Sequence, residues 1–282
     1  MSEVRIGVSG WAYREWQEVF YPKGLSRRNE LAFASEHINT IEINGTFYRL
    51  QSPKSFQQWA SDTPDDFVFA LKGSKFITHQ KKLNEIKIPL ANYFASGVLL
   101  LGNKLGPILW QFAPWFRFDR ERIAEFLNLL PGETKEAAAL ARKNTIKNDD
   151  RKSTVPRRNT KLRYAFEPRH ETFFTDEFAA MLSDRNAAMV ISDTGGKFPY
   201  AEHLTADFIY VRLHGNELYE SDYRDSELKE WAARIRKWRG KKNKRDVYVY
   251  FDNTLKGHAI NNAIYMANEF GLKEKSRVTT AP

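Results

Sequence analysis

The sequence predicts a single TIM (β/α)8 barrel of the α/β class with an irregular sixth βα unit, and two observations carry that expectation. Eight short apolar runs recur along the chain, and most are followed by a stretch of helical period. Each run also has a direction: one alternate set of residues is bulky and apolar, while the other ends on a polar or charged side chain. A doubly wound open sheet would share the first feature. Polar groups at the ends of so many strands instead imply that those ends meet around one axis, as at the C-terminal mouth of a barrel.

In order, the runs are RIGVS (5–9), TIEIN (40–44), FVFALK (67–72), GPILWQ (106–111), RYAFE (163–167), AMVISD (188–193), FIYVRLH (208–214) and VYVYFD (247–252). Ile41 with Ile43, Phe69 with Leu71, Val211 with Leu213, and Val249 with Phe251 form sets that face helices. The opposite set places Ser9, Glu42, Asn44, Lys72, Gln111, Glu167, Asp193, Arg212, His214 and Asp252 at the mouth. Helical stripes are clearest in Leu228, Trp231, Ala232, Ile235 and Trp238, and in Ile260, Ala263, Ile264, Ala267 and Phe270. Between Thr194 and Asp207 there is room for a Gly-Gly turn but not for a full helix.

With 282 residues and 42% hydrophobic content, the chain supports one large core, so residues 1–282 are read as one domain. Within it, 132–161 is expected to be a charged insertion loop and 274–282 a frayed tail. The absence of cysteine excludes disulfides, thiolate metal sites and cysteine nucleophiles. No apolar run approaches the ~18 residues of a membrane span, and the N-terminus lacks a signal-peptide profile, so the expected location is cytoplasmic. The net charge of +9 is concentrated. Residues 132–163 carry ten Lys/Arg against four Asp/Glu, and 234–245 carry eight Lys/Arg and no acid, so the rest of the chain is net acidic. Both basic segments precede strands, which puts them at the face opposite the mouth.

The stretch YAFEPRH (164–170) points most directly to chemistry, because a buried strand has no packing reason to end on Glu167 and run straight into Arg169 and His170. Its surroundings carry a resemblance. IGVSGWAYREWQEVFYP, EINGTFY, FVFALKG, LGPILWQF, YAFEPRHETFF, YVRLHG and YFDNTLKGHAINNA resemble, in order, the recurring blocks of the YecE-like family, domain of unknown function seventy-two. The resemblance implies a TIM barrel over nearly the whole chain but no particular reaction. Phe173 stands where the family pattern has a tryptophan, and the charged segment 132–161 matches no block.

The mouth is expected to hold an enzyme site using carboxylate and histidine acid–base chemistry on a small anionic substrate, as a hydrolase or lyase would. The expected catalytic residues are Glu167, His214, Glu42 and Asp252, with Arg212 holding His214 neutral. Substrate contacts fall to Arg212, Lys72, Arg169, His170, Asn44, Trp11, Tyr48, Gln111, Asp193 and Asn253. Arginine suits bidentate binding of an anion and lysine supplies a mobile point charge. Asn253 and Thr254 also stand where they could cap the last helix. No cofactor is expected. A divalent metal on Glu42, Glu167, Asp193, His214 and Asp252 is the alternative, although HxH and HExxH spacings are missing. His37, His79 and His203 read as ordinary surface or packing residues. Two other readings stay open. One is a structural salt-bridge ring at the mouth, and the other is a nucleic-acid-binding protein or phosphodiesterase that uses the basic segments.

Overall fold

A computed structural model describes residues 3–272 apart from Leu218 and Asn243. Its strands are β1 (Val4–Ser9), β2 (Thr40–Ile43), β3 (Val68–Lys72), β4 (Leu105–Gln111), β5 (Tyr164–Glu167), β6 (Ala188–Met189), β7 (Ile191–Asp193), β8 (Phe208–Leu213) and β9 (Asp246–Phe251), all parallel in one sheet. The sheet runs β6-β5-β4-β3-β2-β1-β9-β8-β7, and only Val190 separates its two end members. Those ends are successive pieces of the sixth barrel strand, which pairs first with β5 and then with β8. This hand-over closes an eight-stranded barrel.

Around it lie α1 (Glu30–His37), α2 (Gly45–Tyr48), α3 (Pro53–Ser61), α4 (Lys87–Ala95), α5 (Arg120–Leu129), α6 (Thr134–Ala141), α7 (Asp176–Ser183), α8 (Asp225–Arg239) and α9 (His258–Glu269). Their starts follow local rules. Ser52, Asp119 and Thr175 accept backbone N–H bonds at the starts of α3, α5 and α7, and Pro53 occupies the first turn of α3. The sixth unit has no helix between Asp193 and Phe208; instead the Thr205 hydroxyl donates to the Ala187 carbonyl at 2.6 Å and accepts from the Met189 N–H at 2.8 Å.

Two cores separate as the alternation requires. Val68, Ala70, Leu109, Ala165, Ala188, Val190, Tyr210 and Tyr250 fill the barrel interior, while Ile41, Phe69, Leu71, Val211 and Phe251 join the larger core between sheet and helices. Asp193 breaks the expectation for its strand. Ala188 and Val190 point inward, so Ser192 continues the inner set and Asp193 shares the outer side with Ile191.

The segment expected as a charged loop at 132–161 contains α6, whose Ala-rich sequence suits a helix and whose buried Ala137, Ala138 and Ala141 pack beside α4. Its later part is also tied down, by Thr145 N–H to the Asn92 side chain at 2.8 Å and Ser153 N–H to the Ala95 carbonyl at 2.7 Å. The tail at 274–282 lies outside the described residues. No helix among the described residues is long and apolar enough to cross a membrane.

Gly7 marks the tightest point of the barrel wall, since a Cβ there would sit 1.8 Å from the Thr40 carbonyl oxygen. Backbone cannot yield as a side chain does. Gly7→Ala is therefore expected to lower stability by more than ~3 kcal/mol or to abolish folding, read by urea denaturation of the soluble fraction.

Candidate active site at the barrel mouth

The mouth is built around one guanidinium. Arg212 reaches from β8 across the barrel, fully buried, and all five of its N–H donors meet protein acceptors. Nε and Nη2 bind the two Glu42 oxygens at 3.1 and 2.9 Å, Nη2 also binds Asp252 at 2.7 Å, and Nη1 binds Glu167 at 2.7 Å and His214 Nε2 at 3.0 Å. Parallel register makes this convergence possible, because Ser9 pairs with Glu42 and Gln111 with Glu167 at neighbouring strand ends. Ser9 and Tyr210 hydroxyls donate to Glu42 at 2.9 and 2.6 Å, and the Gln111 amide donates to Glu167 at 3.0 Å. Six expected residues, Glu42, Gln111, Glu167, Arg212, His214 and Asp252, thus form one bonded cluster.

The electrostatics follow from burial and from these contacts. Burial works to raise the Glu167 carboxyl, but Arg212 and then Arg169 outweigh it, and the group is held well below the usual carboxylate range. His214 is pushed down to about 3, by burial first and by Arg212 second. Its Nε2 accepts from Arg212, which leaves Nδ1 to donate to the Asp193 carbonyl at 3.0 Å. Lys72, at the end of β3, is lowered to about 8 by burial and then by Arg212, with Glu42, Glu167 and Asp252 opposing. It is 8% exposed, and its ammonium makes no hydrogen bond or ion pair with any described residue. It lies over the Phe47 ring, 4.6 Å from the ring centre. Three carboxylates stand close by, yet all are turned to Arg212.

The rim adds Arg169, which gives two bonds to Glu167 at 3.1 and 3.0 Å and lies 4.5 Å over the Phe198 ring. It also adds His79, read from the sequence as an ordinary surface or packing residue, which packs here beside the mouth. A π-helical turn after β3, Phe76–Gln80, carries His79 back to the Phe47 ring at 5.2 Å. Burial and then Lys72 and Arg169 lower its imidazole to about 4. Tyr210 joins the mouth through Glu42, Ser192 lies 3.4 Å from His214 Nδ1, and the Tyr219 ring lies 5.5 Å from that of His214. Tyr210 and Ser192 share the inward parity of Arg212 and Ala188, a signal present in the sequence, whereas Tyr219 lies in a loop with no such pattern.

Other expected contacts lie apart from the cluster. Asp193 faces outward and accepts from the Tyr223 hydroxyl at 2.8 Å, contributing only its carbonyl to the site. His170 accepts from the Thr172 N–H at 3.2 Å and caps the turn Glu171–Phe173. Asn253 donates to the Asn262 side chain and the Ser221 carbonyl, so it fastens the loop before α9, and neither it nor Thr254 caps that helix through its side chain. Asn44, Trp11 and Tyr48 line a neighbouring aromatic pocket of about 460 Å3 with Trp59, where Tyr48 is 65% exposed.

The basic segments lie at the opposite end. Arg163 pairs with Asp246 at 2.6 Å and Arg245 binds the Ala206 and Trp238 carbonyls, while Lys241 and Lys242 stand exposed. A cleft of about 840 Å3 opens at that end between Pro131, Arg163 and Arg185. No group of three or more His, Asp or Glu side chains among the described residues is arranged to hold a metal ion.

Comparison with known proteins gives a consistent result. A family model described as "Protein of unknown function DUF72" matches residues 5–282. The chain is 29% identical over 132 residues to UPF0759 protein YunF of Bacillus subtilis, covering 43% of this chain and 44% of that protein. It is 31% identical over 132 residues to UPF0759 protein YecE of Escherichia coli K12, covering 46% and 45%. The chain thus spans about half the length of these curated relatives in the matched stretch. Among solved structures, a DUF72 family protein from Thermotoga maritima superposes with TM-score 0.75 at 25% identity, over 95% of this chain and 99% of that one. A DUF72 family protein from Enterococcus faecalis, 16% identical, shares the fold with TM-score 0.73 over 97% and 98%.

Two stability predictions follow from the charges. Arg212→Ala strands three buried carboxylates and is expected to cost ~3–5 kcal/mol or more in urea denaturation. Lys72→Met should have the opposite effect. The folded state holds the Lys72 proton less tightly than the unfolded chain, whose value is 10.5, so the penalty is complete below about pH 8 and fades as pH rises toward 10.5. The variant should therefore be more stable at pH 7, by up to ~3 kcal/mol, with the gap closing by pH 10. Equal stabilities at pH 7 would show that Lys72 bears no such penalty.

Proposed function

The chain belongs to the DUF72 family, and we propose that it is an enzyme acting on a small anionic molecule at the C-terminal mouth of its barrel, with Lys72 as the group that meets the substrate. One observation carries this reading: the ammonium of Lys72, a residue only 8% exposed, has no acceptor among the described residues and is not sealed from solvent, while the carboxylates beside it are bonded to Arg212. A cation placed in this way meets whatever anion enters the mouth. A carboxylate or phosphate oxygen of a ligand supplies the acceptor that the protein withholds. Arg169 at the rim gives the same ligand a second cation.

Roles divide accordingly. Arg212 has no donor left for a substrate and acts as a positioning residue that fixes Glu42, Glu167 and Asp252. Glu167, held ionised, serves a developing positive charge better than it serves as a proton donor. His214 is neutral and bonded at both nitrogens, so it supports Arg212. Asp252 takes its Arg212 bond on Oδ2, and its Oδ1 has no hydrogen bond among the described residues, which suits it to carry a proton. Lys72, lowered to about 8, changes its charge close to neutral pH.

The test is a thermal-shift screen of small carboxylates and phosphates against three proteins. Wild type and a Lys241→Gln/Lys242→Gln double variant, altered at the far end, should gain stability from the same compounds. Lys72→Met should not respond. A response kept by Lys72→Met but lost in the double variant would place anion binding on the basic face and overturn the proposal.

A further inference from the structure

We propose that Lys72 is a nucleophile whose amine condenses with the carbonyl carbon of a small anionic aldehyde or ketone, so that the substrates of this mouth are oxo acids or phosphorylated carbonyl compounds. The inference rests on the reading of the mouth as an anion site and goes beyond it by assigning a covalent step. It starts from placement. A lysine that only balances charge would be gripped by the carboxylates around it, but Glu42, Glu167 and Asp252 are held by Arg212, and the amine is left with a ring face beneath it.

The residue is also rigidly based. The Thr46 hydroxyl donates to the Lys72 carbonyl at 2.7 Å, and Gly73 lies so close to Trp110 that a Cβ would come within 2.2 Å of the indole. Such anchoring is what a covalent catalyst needs to meet a carbonyl along one approach. The charged and titratable groups around the amine are Arg212, Glu42, Glu167, Asp252 and His79. The balance of burial and Arg212 against the carboxylates leaves it far more neutral at pH 7 than a surface lysine, by roughly 300-fold in amine fraction.

The step balances as follows. The neutral amine of Lys72 attacks the carbonyl carbon, forming the C–N bond as the π electron pair moves to oxygen. One proton passes from nitrogen to that oxygen by way of the Asp252 carboxylate, giving the carbinolamine. A second proton, taken up from solvent by the Asp252 carboxylate and passed to the hydroxyl, lets the C–O bond break with its electron pair; water departs, the nitrogen lone pair closes the C=N bond, and Asp252 is left ionised as it began. The product is a cationic iminium on Lys72, next to the ionised Glu167. Arg169 at the rim is placed to hold the substrate's anionic group.

Glyoxylate is the probe, used with cyanoborohydride and peptide mass mapping of the full chain. At pH 7, Lys72 is expected to be alkylated at least ~10-fold faster than any other lysine, since its amine fraction is larger. The rate should rise through a midpoint near pH 8. Lys72→Arg, which keeps the cation, should show no modification in that peptide. Labelling of surface lysines with Lys72 untouched would overturn the covalent step. If glyoxylate then still raised the melting temperature of wild type but not of Lys72→Met, the anion site would survive alone; no shift in either would remove both.

Discussion

The interior of the mouth depends on the geometry of one guanidinium. A planar fork with five donors can hold three carboxylates and one imidazole at once, which a lysine at the same place could not do. Removing so many charges from water is costly, and the cluster is tolerated because each charge finds a partner at hydrogen-bonding distance. The four strands that carry these groups are thereby locked at their upper ends. Charge pairing is also what fixes the orientation of Glu167 and Asp252, since each has an oxygen bonded to Arg212 and neither can rotate without breaking that bond.

Against this background Lys72 is the exception. It carries a charge in a low-dielectric place without the compensation given to its neighbours, and this is the kind of local disadvantage that function requires and stability does not. The arrangement separates two tasks: Arg212 bears the structural load and leaves Lys72 available. His214 belongs with the first task, because its ring is bonded to Arg212 on one side and to backbone on the other.

Much of this was legible from alternation. Once Ile41, Phe69 and Val211 are set against helices, Glu42, Lys72 and Arg212 must point inward, and they do. The same rule misplaced Asp193 because Ser192, not Asp193, continues the inward set of Ala188 and Val190, and a charged residue at the end of the run drew more weight than its parity. His79 was beyond reach for a different reason: a π-helical turn has no simple period, so nothing in the spacing shows that it folds back onto the Phe47 ring that Lys72 also meets. Trp11 and Tyr48 line a pocket beside the mouth, and aromatic character alone does not distinguish the one place from the other. Alternation also shows where side chains point without showing who bonds to whom. Arg212 and Lys72 look alike in sequence as inward cations, and only the coordinates reveal that one is saturated and the other bare.

The split of the sixth strand at Val190 has its own consequence. Every other stave of the barrel is one unbroken strand with a neighbour on each edge, whereas here β6 and β7 each hold one neighbour, and no helix follows between Asp193 and β8. Local opening in proteins begins where such support is thinnest. That seam carries the Asp193 carbonyl to which His214 is bonded, and His214 in turn accepts from Arg212. Breathing of the barrel at this joint would thus be felt first by the imidazole and next by the guanidinium, which makes a remote gap in the wall a neighbour, electrically, of the mouth.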